Sequence, residues 1–263
     1  MGQKWVESAT QPATFPPPVR FREIDRANQE WPKRHRGQKM ALTATEIGSI
    51  VQELASALAD GWIQKISQPL PDTLILEIRV PGHTRRLLCS LRDDTARLHL
   101  VHQHLPNPPT PPSFCQLLRA RIQGARIDTL QHMSGDRIVR LDLTSRDGPV
   151  SLVAELFSRN ADLLFLDGEG LVLATLRHNK DRVGQPYQAP SAAAFRSSSH
   201  QAVVLEPDTQ PQTDDDPFPL SSRLETFYRE REAELSYQAQ ARERESGLRK
   251  HLKKLLRRMA ALR

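Results

Sequence analysis

Two cysteines in 263 residues, Cys89 and Cys115, give no disulfide framework, and neither lies in a Cys-x-x-Cys or Cys-x-x-His frame. That scarcity excludes a disulfide-stapled mini-protein and a zinc ribbon, and fits a reducing compartment. No run approaches the roughly 20 apolar residues that a membrane span requires, and the polar, proline-rich start lacks an apolar signal core. A cytoplasmic location without membrane contact is the expectation. The phosphate-cradling G-x-x-x-x-G-K-[ST], the nucleophile elbow G-x-S-x-G and the zinc-binding H-E-x-x-H are all missing. The enzyme classes those motifs mark are therefore not expected, and no cofactor or metal is.

What is present is a chain long enough for one large domain or two ordinary ones. The net charge of +6 is unevenly spread. Residues 1–39 carry 8 basic against 4 acidic side chains, residues 40–190 balance at 16 each, residues 191–240 hold 4 against 9, and residues 241–263 hold 9 against 2. Basic ends around a neutral middle are the polarity of a nucleic-acid partner, although solvated faces and tails look the same in sequence.

Residues 1–39, with Pro16-Pro17-Pro18 and no sustained periodicity, read as disordered or as a start-site extension, Met40 being a plausible initiator. From Thr43, apolar positions at Ile47, Ile50, Val51, Leu54 and Leu58 predict an amphipathic helix that stops before Gly61. Strands are expected over 62–66, 73–80, 86–91 and 97–101, with Pro81-Gly82 turning between the second and third. After the proline cluster 106–112, a second helix through Phe114, Leu117, Leu118 and Ile122 should close at Gly124. Strands return over 125–132, 137–144, 150–157, 162–166 and 171–176. This order of elements predicts an α+β fold, an antiparallel sheet or β-sandwich with flanking helices.

Residues 191–220 have the composition of a linker, and 221–263 that of a helix. Leu248, Leu252, Leu255, Met259 and Leu262 step by 4, 3, 4, 3, a coiled-coil seam. Such a seam cannot bury its stripe alone, so its partner is a second chain or a missing C-terminal part; truncation is the reading adopted. The basic stretch 241–263 suits either rRNA phosphates or a charged coiled-coil exterior. His99, His102 and His104 lie within six residues, but no fourth ligand accompanies them, and surface histidines are the expectation.

Across residues 40–190 a set of short pieces accumulates in order. These are Leu42-Thr43, Ile63-Gln64-Lys65-Ile66 with Gln68-Pro69, Arg97 to Leu100, Asn107-Pro108-Pro109, Phe114-Cys115, Leu118-Arg119, Gly124 to Ile127, Asp136-Arg137, Glu155 to Arg159, and a closing Arg182, Gly184, Tyr187 and Pro190. Together they resemble the N-terminal domain of the NFACT family, which includes bacterial RqcH, eukaryotic NEMF and proteins once labelled fibronectin-binding protein A. The resemblance implies a β-sandwich with flanking helices, shaped like the N-terminal lobe of formamidopyrimidine-DNA glycosylases, and an outgoing coiled coil. It implies a ribosome-associated quality-control factor that holds tRNA (alanine tRNA in bacteria) on the obstructed large ribosomal subunit and its rRNA, and that supports template-free C-terminal tailing without bond chemistry of its own.

By the same resemblance, Asp136-Arg137 and Glu155 to Arg159 match segments associated with tRNA engagement. Asp136, Arg137, Glu155 and Arg159 are thus the expected tRNA-binding residues, with helix-borne Arg119 as a further phosphate contact. An arginine offers a planar fork to phosphate and stacks on unpaired bases, and an aspartate can orient it. Without the resemblance, these residues would read as ordinary strand-end ion pairs. Two positions depart from the family pattern: Ser158 replaces glycine, and Asp162 stands where asparagine is usual. The glycosylase reading fails because no N-terminal proline nucleophile is available at Gly2 or Ala41. A cell-surface fibronectin-binding adhesin and an inactive truncated copy are the alternatives.

Overall fold

The structure is a computed structural model that describes residues 41–93, 95–133, 136–157, 160–177, 179–190 and 216–233, with residues 244 and 246. The described residues belong to one compact unit. The expectations for residues 1–39 and for the seam from Leu248 to Leu262 lie outside the described residues.

Helix α1 (Ala44–Ala57) begins where Thr43 and Glu46 satisfy each other's orphan donors: Glu46 N–H donates to Thr43 Oγ1 at 3.2 Å, and Thr43 N–H donates to Glu46 Oε2 at 2.8 Å. Its stripe of Ile47, Ile50, Val51 and Leu54 is buried. Gly61 then lets the chain turn tightly: a Cβ there would lie 2.6 Å from Ile78 Cγ2 and 2.8 Å from the Leu58 carbonyl oxygen.

Nine strands follow with one further helix between the fourth and fifth. They are β1 (Trp62–Leu70), β2 (Thr73–Val80), β3 (His83–Ser90), β4 (Arg97–Leu100), β5 (Arg126–Met133), β6 (Ile138–Ser145), β7 (Gly148–Glu155), β8 (Asp162–Asp167) and β9 (Val172–Thr175), with α2 (Ser113–Ile122) after β4. All pair antiparallel in one sheet of order β4-β3-β2-β1-β5-β6-β7-β8-β9. The expected sandwich is thus a single sheet bent upon itself. The β1/β5 ladder has one Cα pair, Trp62 with Arg126, supported by Ile63 N–H to Ala125 O at 2.9 Å and Ile127 N–H to Gly61 O at 2.8 Å. On either side of this seam the apolar faces meet: Leu74, Leu76 and Leu87 from one half and Leu141, Leu152 and Leu163 from the other line a shared cavity of about 30 Å³. One hydrophobic core takes in both halves and α1 and α2.

The boundary expected at residue 220 falls inside this unit. A helix over residues 219–233, here α3, packs on the sheet from its first turn. Glu53 of α1 caps it from a distance, accepting from Leu220 N–H at 2.8 Å and Ser221 N–H at 2.9 Å. Leu224 and Tyr228 are fully buried in the main core. The Tyr228 ring lies 4.3 Å under the Arg97 guanidinium, which also pairs with Glu232 at 2.8 Å. Arg97 is itself 5 % exposed, so helix and strand neutralise each other inside the domain.

His99 is a core residue rather than a surface one. Its Nδ1–H donates to Leu100 O at 2.8 Å, its Nε2 accepts from Arg97 Nε at 3.2 Å, and it stacks on Tyr228. Burial, then the Arg97 charge, lower its pKa to about 3. His102 is exposed and pairs with Glu225. Among the described residues no cluster of three metal-ligating side chains exists, and no helix is long and apolar enough to cross a membrane.

Candidate nucleic-acid interface

The antiparallel register carries three expected residues to one end of the sheet. Ile138 opposes Glu155 across β6 and β7, and Glu155 opposes Asp162 across β7 and β8. Asp136 and Arg137 occupy the turn into β6, where Leu156 N–H donates to Arg137 O at 2.8 Å. The 180–182 turn and the stretch to Tyr187 close the same corner over a second apolar cluster that includes Ile138, Val153 and Phe157.

Glu155 is 2 % exposed, and both carboxylate oxygens accept from Arg182, Nη1 at 2.7 Å and Nη2 at 2.8 Å. This two-pronged pair holds the Arg182 pKa above its ordinary value, chiefly through the hydrogen bonds to Glu155. The Arg182 guanidinium also lies 5.7 Å from the Tyr187 ring. The Tyr187 hydroxyl is buried, and burial together with the Glu155 carboxylate pushes its pKa up. Asp162 accepts from Leu163 N–H at 2.8 Å and Arg177 N–H at 3.1 Å; burial and then the charge of Glu155 outweigh those bonds and raise its pKa.

Arg137 differs from its neighbours. Arg140 is spent on Asp142 at 2.7 Å and Arg182 on Glu155. Among the described residues, Arg137 has no carboxylate within 4 Å; its guanidinium stands 5.5 Å over the Phe157 ring. Partial burial draws its pKa down, Asp136 acts the other way, and it remains a cation at neutral pH. Asp136 Oδ1 accepts from Arg137 N–H at 3.1 Å, and the Asp136 carbonyl meets His132 Nε2 at 2.7 Å, which fixes the turn.

Asp136, Arg137 and Glu155 therefore come together, with Glu155 beneath the surface. Arg119 does not join them. Its Nε donates to Ile66 O at 2.8 Å, and the last turn of α2 reaches the 146–147 turn through Arg121 and Asp147, 3.6 Å apart. That turn is at the far end of the β5/β6 hairpin, seven residues along β5 from Asp136-Arg137, or roughly 20 Å. Arg159 and Ser158 lie outside the described residues. The sequence reading did not pick Arg182, Tyr187 or Phe157 as site residues. The available signal was Glu155 itself, a carboxylate within the apolar run Leu152 to Phe157, which needs a cation from elsewhere in the chain.

A single antiparallel sheet bent upon itself, helices on its flank and a carboxylate–arginine corner at its strand ends define an α+β domain of one recognisable class. Its fold is similar to the N-terminal domain of the fibronectin-binding protein PavA from Streptococcus pneumoniae, with TM-score 0.53 and 29% identity over 57% of this chain and 62% of that one. The N-terminal part of the fibronectin/fibrinogen-binding protein of Streptococcus suis shares the fold, with TM-score 0.53 and 24% identity over 56% and 61% of the two chains. The family pattern "NFACT N-terminal and middle domains" matches residues 43–196, more than half the chain, and the chain belongs to the NFACT family. It is 32% identical over 157 residues to the Rqc2 homolog RqcH of Bacillus subtilis, covering 54% of this chain and 28% of that protein. It is 33% identical over 143 residues to the archaeal Rqc2 homolog aRqcH of Methanocaldococcus jannaschii, covering 53% and 21%. The matched segments span about a quarter of the length of these relatives.

Proposed function

We propose that the chain is the tRNA-holding part of a ribosome-associated quality-control factor, acting by binding and without bond chemistry. The observation that carries this reading is Arg137: a cation with no ion-pair partner among the described residues, held over an aromatic face at a sheet end where the neighbouring arginines are neutralised. Such a group can meet a phosphate or stack on an unpaired anticodon-arm base. Asp136 fixes the turn that carries it by accepting from its backbone N–H, Glu155 and Arg182 stiffen the strand ends behind it, and Arg159 is the remaining contact of the proposal. Arg119, tied to the β1 backbone, is left out. The large ribosomal subunit and its rRNA, alanine tRNA, a glycosylase-lobe form of the domain, an outgoing coiled coil and a cytoplasmic location belong to the same proposal.

The test is tRNA binding by the full chain across a salt series, comparing wild type, Asp136→Ala/Arg137→Ala, and Arg146→Ala as a charge control at the opposite hairpin end, where its side chain is 80% exposed. Loss of saturable binding only in the first variant supports the reading, with a log–log salt slope shallower by about one for each phosphate contact removed. Weak binding shared by all three and abolished by salt refutes it. The second reading, fibronectin binding, is favoured by the names of the solved neighbours; capture of the chain on immobilised fibronectin, insensitive to the Arg137 change, would support it instead.

A further inference from the structure

The most exposed large apolar side chain described is Trp62, at 53%. It opens β1 at the seam of the sheet and is directly opposite Arg79 on β2 and Arg126 on β5. Directly opposed residues of antiparallel strands share one face. Neighbouring strands are about 4.8 Å apart, so the indole sits between two guanidinium-bearing positions roughly 10 Å from each other. Among the described residues no ring or cation stacks on the indole; the four cation–aromatic contacts involve Phe218, Tyr228, Phe157 and Tyr187.

Both arginines can be recruited. Arg79 is exposed and donates only a long bond of 3.3 Å to Thr84 Oγ1. Arg126 pairs with Asp60 at 2.9 Å, but both side chains are more than half exposed, so the pair is weak and open to exchange. One strand pair further on, Lys65 and Arg86 flank Glu77. The patch as a whole carries four cations against the carboxylates of Asp60, Glu77 and Asp128, the last held by Thr144 Oγ1 at 2.7 Å beside Arg126. Asp136-Arg137 is at the other end of β5, again roughly 20 Å away.

We propose that this face binds unpaired RNA: a base stacks on Trp62 while Arg79 and Arg126 take the phosphates on either side. An open aromatic face between two cations is the arrangement that holds single strands without reading their sequence, and its net positive charge matches a phosphate backbone. The contact is separate from the Asp136–Arg137 corner and does not depend on that corner holding tRNA.

The experiment uses the full chain and a labelled ten-nucleotide oligo(A), followed by anisotropy, with a ten-base-pair RNA duplex and poly-glutamate as competitors. Trp62→Ala should weaken oligo(A) binding roughly tenfold or more, Trp62→Phe should restore most of it, and Arg79→Gln/Arg126→Gln should flatten the salt dependence. Arg229→Ala, at an exposed position on α3 outside both sites, should leave it unchanged, which separates this face from a general loss of positive charge. Wild-type affinity in Trp62→Ala with an unaltered melting curve, equal competition by duplex, or stronger competition by poly-glutamate than by unlabelled oligo(A) would each overturn the proposal; the last would assign the face to an acidic peptide. If Trp62→Ala lowered the melting temperature, the Trp62→Phe comparison would still decide.

Discussion

Replacing Asp162 by asparagine should stabilise this protein, and more so as the pH rises. Asp162 is 5 % exposed and directly opposite Glu155 across β7 and β8. Its Oδ1 takes both of its backbone hydrogen bonds, and an amide oxygen can take them equally well. The substitution therefore removes a buried charge and the repulsion from Glu155 while keeping the bonds. Like charges directly opposite in a sheet cost up to about 1 kcal/mol, so a gain of about 1 kcal/mol at pH 7 follows, seen as a rise of about 2–4 °C in melting temperature for a domain of this size.

The pH dependence has a definite sign. Burial and Glu155 raise the folded-state pKa of Asp162 above its unfolded value near 3.9. Its favourable contribution is thus complete below that pH and is lost as the pH rises through the folded value. The advantage of Asp162→Asn should be close to zero at pH 3.5 and grow toward pH 7. Urea melts of both proteins at four pH values measure it. An advantage that is equal at every pH, or a less stable variant at pH 7, would refute the account of this corner.

Three further outcomes are expected. Arg182→Ala leaves the Glu155 carboxylate buried without its partner and should cost about 3–5 kcal/mol in urea unfolding, whereas Glu155→Gln/Arg182→Met should recover much of the loss. Leu224→Ala, at a position with no exposure on α3, should cost about 2–5 kcal/mol and make residues 219–233 an early cleavage point in limited proteolysis. His99 stays neutral when folded down to about pH 3 but takes up a proton when unfolded near pH 6.5, so it withdraws stability as pH falls between those values. Its share is about 1.4 kcal/mol per pH unit, and a melt series comparing wild type with His99→Gln should show a shallower acid slope in the variant.

Most of the sheet was legible because its signals are local. The second strand was read over 73–80 and is found there, since its apolar run ends at a turn whose Gly82 has a φ of 79°. The first strand was read only to Ile66, yet β1 continues through Pro69; an irregularity between Ser67 and Leu70 lets the ladder pass a residue with no N–H. What local pattern could not show was which surfaces meet. Leu224, Phe227 and Tyr228 step by three and one, a spacing that suits a seam to another chain as well as a place in this core. Glu155 finds Arg182 at a separation of 27 residues, and Arg119 faces the β1 backbone rather than the corner. Distances of that kind arise from topology, so of the expected site the sequence disclosed the turn at Asp136-Arg137 but not the buried pair behind it.

The cap that Glu53 places on α3 also sets a clock. Glu53 and Leu220 are 167 residues apart in the chain, and synthesis proceeds at about 5–20 residues per second. Roughly 10–30 s therefore separate the appearance of the capping carboxylate from that of the helix it caps. From the completion of the sheet until α3 appears, the patch of core that Leu224 and Tyr228 will cover stands open to water. The domain is a late-closing one, whose last described element completes the surface laid down by its first.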